Sequence, residues 1–307
     1  MLDPRGLFHD AGPLPILIDT DFATNVDDLL AVLFAVGSEK LELAAVTTVH
    51  GLPDVRARAA RRVLDFVGAF SVPVGAGRAP VQGELFVSGY ESTYALPGTD
   101  PDHFPSASEV FREVSGQHGD NLVVVAIGPL TNVASWLSEP LEHRPRCVVA
   151  MAGCFRKGGT DRNVQSDAVA ARRLVEAGIP VIFVGIEICR QVTYDTNDLY
   201  EIQKGGNGSE LCELLEVQSK NWWNFKGAGF SNPCDPLTLL AFTSPSLFEF
   251  QRTDVSFVVG GELNGQTVWS DHDSGQFLRA TAVDSERARC AIVSTINRVV
   301  RTTGPHS

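Results

Sequence analysis

The chain has 307 residues, 44% hydrophobic and 20% charged, with a formal net charge of −12. That composition is typical of a globular protein able to bury a large core, and the acidic balance argues against nucleic acid or an anionic membrane as partner. No segment is apolar for long enough to span a bilayer, MLDPRGLFHDAGPLP lacks the basic and apolar regions of a signal peptide, and six cysteines without CxxC spacing suit a reduced, cytoplasmic setting.

The apolar run Ile16-Leu17-Ile18 predicts a buried strand, and Val26 to Val36 an amphipathic helix. Asp19, Asp21, Asp27 and Asp28 crowd the end of that strand and the first turn of the helix, where open α/β sheets bind ligands. One or two acids there are ordinary caps. Four would repel one another unless a cation or a shared proton relieves them. LELAAVTTV (41–49) predicts a second strand and DVRARAARRVLDFVG (54–68) a second helix. A loop from about residue 77 to 107 leads to a short helix in SASEVFREVSG. LVVVAIG (122–128) precedes the helix TNVASWLS, and RCVVAMAG (146–153) precedes a polar, glycine-rich loop. DAVAARRLVEAG (167–178) predicts a helix closed by Gly178, running into a strand PVIFVGIEI. The remainder is helical from about Asp195 to Phe225 and again after Pro236. VSFVVGG and QTVWSD then form a hairpin, and SERARCAIVSTINRVVR a closing helix. Uninterrupted apolar strands imply a mostly parallel sheet with helices on both faces. The expectation is a single α/β domain over residues 1–307, with a late helical cap region and a loosely ordered segment 1–14.

Three later segments sit at predicted strand ends or helix starts. AIGPLTN (126–132) could aim the Ile127 carbonyl at the rim, GTDRNVQSD (159–167) carries Asp161, Asn163 and Asp167, and NPCDPLT (232–238) puts Asp235 at a helix start. Each alone is explained by capping or turn chemistry. Their recurrence points to one shared, oxygen-rich site, and such sites suit a hard cation, Ca²⁺ above all.

In the same order, these segments resemble the inosine-uridine preferring nucleoside hydrolases. The motifs are Asp19-Thr20-Asp21 with Asp27-Asp28, Thr47-Thr48-Val49-His50-Gly51, Gly128-Pro129-Leu130-Thr131-Asn132, Met151-Ala152-Gly153, Asp161-Arg162-Asn163 and Cys234-Asp235-Pro236. The resemblance implies a Rossmann-like fold, bound Ca²⁺, and hydrolysis of the N-glycosidic bond of a ribonucleoside by a homodimer or homotetramer. It makes Asp21, Asp28, Asp235 and the Ile127 carbonyl the metal ligands, with Asp21 also the base for the attacking water. It gives Asp27 and Asn163 to the ribose hydroxyls, and Asp161, where the family has Glu, to the 5′-hydroxyl beside Met151.

Four positions depart from the family. FATNV makes the opening loop two residues longer, Leu52 replaces an Asn or Asp, and Cys234 and Tyr90 replace two histidines that assist the departing base. Loss of general acid help is typically worth about 10²–10⁴ in rate. Tyr90, His272 and His50 are candidates for a substitute donor, against a surface-loop role for His272 and a packed or exposed one for His50, and Trp222, Trp223, Phe225 and Phe230 are rings that could stack on a base or belong to the core. The competing readings are a nucleoside- or ribose-binding homologue without turnover and, further off, a Mg²⁺ phosphatase built on the D-x-D.

Overall fold

The computed structural model describes residues 12–79, 87–91, 103–206 and 208–303. Strand β1 (Leu14–Thr20) alternates as its sequence requires: Ile16 and Ile18 enter one apolar cluster, Leu17 another on the opposite face. Helix α1 (Val26–Gly37), β2 (Leu41–Thr48), α2 (Pro53–Phe66) and β3 (Val74–Ala76) follow. Then come α3 (Ala107–His118), β4 (Val123–Ala126), α4 (Thr131–Ser138), β5 (Cys147–Met151), α5 (Arg162–Ser166), α6 (Ala168–Glu176) and β6 (Val181–Val184). These six strands are parallel and lie side by side in the order β3-β2-β1-β4-β5-β6. The order reverses between β1 and β4, which is where such sheets open a crevice for a ligand.

Past β6 the chain is helical, with α7 (Ile186–Cys189), α8 (Thr196–Gln203), α9 (Glu210–Lys226) and α10 (Cys234–Thr243). A small antiparallel ribbon joins β7 (Tyr194–Asp195) to β8 (Phe230–Ser231). Strands β9 (Phe248–Phe257), β10 (Thr267–Asp271) and β11 (Phe277–Val283) extend the sheet beyond β6, and α11 (Ser285–Thr302) closes the described chain. Helices α1, α2, α9, α10 and α11 bury one face of the sheet, and α3, α4 and α6 the other. The mostly parallel α/β architecture is the expected one.

Two details differ from the sequence reading. The predicted strand PVIFVGIEI stops at Val184, and Ile186–Cys189 turn into a helix. The chain bends at Gly185, whose missing Cβ leaves room for the Phe155 ring and the Glu187 carboxylate, and that carboxylate accepts the Phe155 N–H at 3.0 Å. The predicted hairpin is real, but β9 begins at Phe248, and β11 lies between it and the parallel strands.

The tightest packing of backbone on backbone is at the switch point. Gly128 opens GPLTN, and a Cβ there would stand 2.6 Å from the Asp21 nitrogen. Any larger residue would push the end of β1 away from β4. The Asp19 carbonyl also accepts the Ile127 N–H at 2.8 Å, so the first acidic loop and the GPLTN turn are fixed together.

Candidate active site

Four chain segments meet at the rim between β1 and β4. They enclose a cleft of ≈ 510 Å³, lined by Asp21, Asp27 and Asp28 from the first loop, Ile127 after β4, Met151, Asp161 and Asn163 around β5, and Asp235 at the start of α10. The volume is ordinary for a small-molecule site. Every residue assigned to metal, ribose or 5′-hydroxyl from sequence lines this cleft, whereas Tyr90 is half-buried on segment 87–91 and is not among the lining residues. Most of the long loop expected to help form the base pocket, residues 80–86 and 92–102, lies outside the described residues.

The acids divide into two kinds. Asp19 is structural: it is buried, and one oxygen accepts the Thr47 hydroxyl at 2.7 Å and the Asn132 amide at 2.8 Å. Burial still pushes its carboxyl up to about 7. Asp27, Asp28 and Asp235 are buried together, with one oxygen of each lying within 4.8 Å of the others. Helices α1 and α10 pack against each other and start side by side, which brings acids more than 200 positions apart in sequence to one point. Burial, then Asp21, raises Asp27 to about 7. Burial first, then the neighbouring charges, holds Asp28 and Asp235 well above the ordinary carboxylate range. Three carboxylates so placed form an all-oxygen donor set whose repulsion a hard divalent cation would relieve. The residues fit a metal.

The rest of the cleft is held by specific bonds. The Thr20 hydroxyl donates to Asp28, and Asn25 caps α1 by accepting the Val26 N–H at 2.7 Å. Asn163 donates its amide to the Ile127 and Met151 carbonyls, each at 3.0 Å. Asp161 caps α5, accepting the Asn163 and Val164 N–H groups on one oxygen and the Gly153 N–H on the other. Burial raises Asp161 to about 6. Cys234 donates its thiol toward Asp27 and lies against the Cys189 thiol; contact with Cys189, then burial, keeps it protonated. A thiolate nucleophile is thereby excluded.

Two substitute proton donors are misplaced. His272 pairs with Asp254 at 2.9 Å and with Ser274 at 3.1 Å on the hairpin, and it does not line the cleft. His50 is fully buried and does not line it either. Among the described residues no histidine does. Of the four aromatic candidates, Trp222 and Phe230 line the cleft, while Trp223 is buried against Tyr194 and Phe225 stacks on Trp222.

Sequence reasoning missed the residue that holds the first loop in shape. Arg56 on α2 is fully buried. Its guanidinium donates to the carbonyls of Asp21, Phe22 and His50 and to the Thr24 hydroxyl. Among the described residues the two non-glycine positions with positive φ, Ala23 at 82° and His50 at 68°, lie in the two turns that it bridges. Such backbone costs on the order of 1–3 kcal/mol per residue and persists only when its surroundings enforce it. The signal was an arginine among the buried alanines of α2, Ala57, Ala59 and Ala60. Replacing Arg56 by Met leaves those oxygens buried without their donor and is expected to cost on the order of 3 kcal/mol. Denaturant titration checks this; a loss below about 1 kcal/mol would mean the loop holds its shape unaided.

A family model described as inosine-uridine preferring nucleoside hydrolase matches residues 16–299. The pyrimidine-specific ribonucleoside hydrolase RihA of Citrobacter koseri is 28% identical over 277 residues, covering 82% of this chain and 85% of that protein. Among solved structures, the purine-preferring ribonucleoside hydrolase of Gardnerella vaginalis superposes with a TM-score of 0.81 at 21% identity, covering 94% of this chain and 99% of that one. The plant nucleoside hydrolase PpNRh1 gives 0.78 at 24% identity, covering 93% and 99%.

Proposed function

Because the chain belongs to the inosine-uridine preferring nucleoside hydrolase family, we propose that its cleft hydrolyses a ribonucleoside with Ca²⁺ held by Asp21, Asp28, Asp235 and the Ile127 carbonyl, and with Asp21 as base. The observation that carries this reading is the convergence of Asp28 and Asp235, with Asp27 as the third buried carboxylate, at the switch point of the sheet, where Asp21 lines the same cleft. Ca²⁺ at that point would supply a fixed positive charge that acidifies water and binds a vicinal diol.

The chain's own groups supply the rest. Asp21, half-buried at the end of β1, takes the proton from the attacking water. Asp27 accepts from a ribose hydroxyl while the Cys234 thiol steadies its other contacts. The Asn163 amide nitrogen is committed to two backbone carbonyls, so its oxygen is the atom left to accept from the sugar. Cleaving the C1′–N bond develops oxocarbenium character, and carboxylates packed around the ribose stabilise that charge. Trp222 and Phe230 both line the cleft and are the rings available to the base. The two relatives differ in base preference, so their likeness selects neither purine nor pyrimidine.

No described histidine lines the cleft, so protonation of the leaving base is the weak step. p-Nitrophenyl β-D-riboside needs no such help. The purified protein is expected to cleave it with Ca²⁺ and to stop when a chelator is added. Ordinary nucleosides should run slower by about 10²–10⁴. Absence of turnover on p-nitrophenyl riboside with Ca²⁺ present would favour the second reading, a ribose-binding homologue without turnover, which the missing histidines motivate.

A further inference from the structure

The wall of the cleft beside Asp161 carries two arginines that binding of a plain 5′-hydroxyl does not call for. Asp161 is held firmly as a cap: one oxygen accepts the Asn163 and Val164 N–H groups and the other accepts the Gly153 N–H. Its side chain is one methylene shorter than the family's Glu and ends at the helix it caps. Two guanidiniums, Arg162 and Arg190, line the same cleft. Both side chains are exposed toward solvent, Arg162 next to Asp161 in sequence and Arg190 at the end of α7. Arg190 lies close enough to the Cys154–Asp161–Glu187 group to act on the Cys154 thiol through its charge, as do the two carboxylates. Glu187, the other carboxylate on this side, is buried and accepts the Phe155 N–H at 3.0 Å. Two guanidiniums therefore share this side of the cleft with the Asp161 carboxylate.

We propose that Arg190 and Arg162 bind a phosphate monoester at the 5′ position, so that a nucleoside 5′-monophosphate is preferred over the free nucleoside. The proposal rests on the hydrolase reading, which puts the ribose 5′ end beside Asp161 and Met151. In the reaction the C1′–N bond breaks and a C1′–O bond forms with water. One proton of that water ends on the base, and the products are ribose 5-phosphate and free base. Guanidinium binds a phosphate dianion through paired, charge-assisted hydrogen bonds, which a neutral hydroxyl cannot match.

The test has an activity arm and a binding arm. Uridine and inosine are compared with their 5′-monophosphates and 5′-diphosphates in the presence of Ca²⁺. The monophosphate should exceed its nucleoside in kcat/KM by about tenfold or more, chiefly through KM. That ratio should collapse toward one in Arg190→Ala and fall in Arg162→Ala. A diphosphate preferred over the monophosphate would overturn the monoester assignment. In the binding arm, calorimetry compares ribose 5-phosphate with ribose on the wild-type protein. Tighter binding of the phosphate by about tenfold supports the proposal even if no nucleoside turns over. Equal binding, or a free nucleoside cleaved as well as its monophosphate, overturns it. Turnover of p-nitrophenyl riboside combined with equal binding would leave the hydrolase reading intact and remove only the phosphate site.

Discussion

Replacing Asp21 by Asn lowers kcat on p-nitrophenyl riboside by about 10⁴ or more. A general base is typically worth about 10²–10⁴, and Asp21 is also a proposed metal ligand, so the two losses compound. The substitution keeps size and shape, so a rate loss without a matching fall in melting temperature assigns the effect to chemistry. Asp19→Asn is the natural control. Asp19 lies two residues earlier, and the oxygen that accepts from Thr47 and Asn132 is kept in Asn. Its effect on kcat should stay within about tenfold, because it touches neither sugar nor water in this mechanism. Turnover by Asp21→Asn within about tenfold of wild type would remove Asp21 from the role of base.

Calcium and pH act on stability in opposite directions. Asp27 is raised from 3.8 to about 7, and Asp28 and Asp235 well above the ordinary range. Between about pH 4 and 7 the folded protein therefore holds protons that the unfolded chain has released. Stability without metal is fully present below the unfolded pKa and is lost as pH rises through the folded values. With a chelator, the melting temperature should fall by on the order of 10 °C between pH 5 and pH 8. Ca²⁺ binds the deprotonated carboxylates, so its stabilisation grows as pH rises. Scanning calorimetry should give curves with and without Ca²⁺ that nearly coincide at pH 5 and diverge at pH 8. Curves that coincide across that range would mean that the cluster relieves its repulsion by sharing protons and holds no ion.

The parts of the site written locally in sequence were readable. Asp19 to Asp28 follow a three-residue apolar run, and Gly128 to Asn132 follow another, so strand, turn and helix can be read within one window each. Asp235 was readable because Pro236 fixes the first turn of α10. What depends on contacts between distant segments was not. Arg56 looks like one of four arginines on an exposed helix until β2 and the first loop close over it. The Cys189–Cys234 contact joins α7 to α10 across 45 positions. The role of Asp161 as a cap, with backbone N–H groups on both oxygens, depends on Gly153 folding back at a distance of eight residues. Strand β11 escaped notice because its edge of the sheet is half-covered and its residues, FLRATAV, lack an unbroken apolar run. Burial on both faces makes parallel strands conspicuous, and that is the signal the antiparallel edge lacks.

The buried guanidinium of Arg56 also bears on how portable the acidic loop is. The loop supplies the carboxylates from the first strand–helix unit, but the brace for its shape comes from the second. A graft of residues 14–37 into another parallel sheet would carry Asp21, Asp27 and Asp28 without the donor that spans the Asp21, Phe22 and His50 carbonyls. Left alone, the left-handed turn at Ala23 would relax and the acids would spread. The smallest transferable unit is therefore two consecutive strand–helix pairs, residues 14–66, taken with the GPLTN turn that packs against Asp21. A designer borrowing this cation site would have to move all three together and add the carboxylate that Asp235 brings from α10.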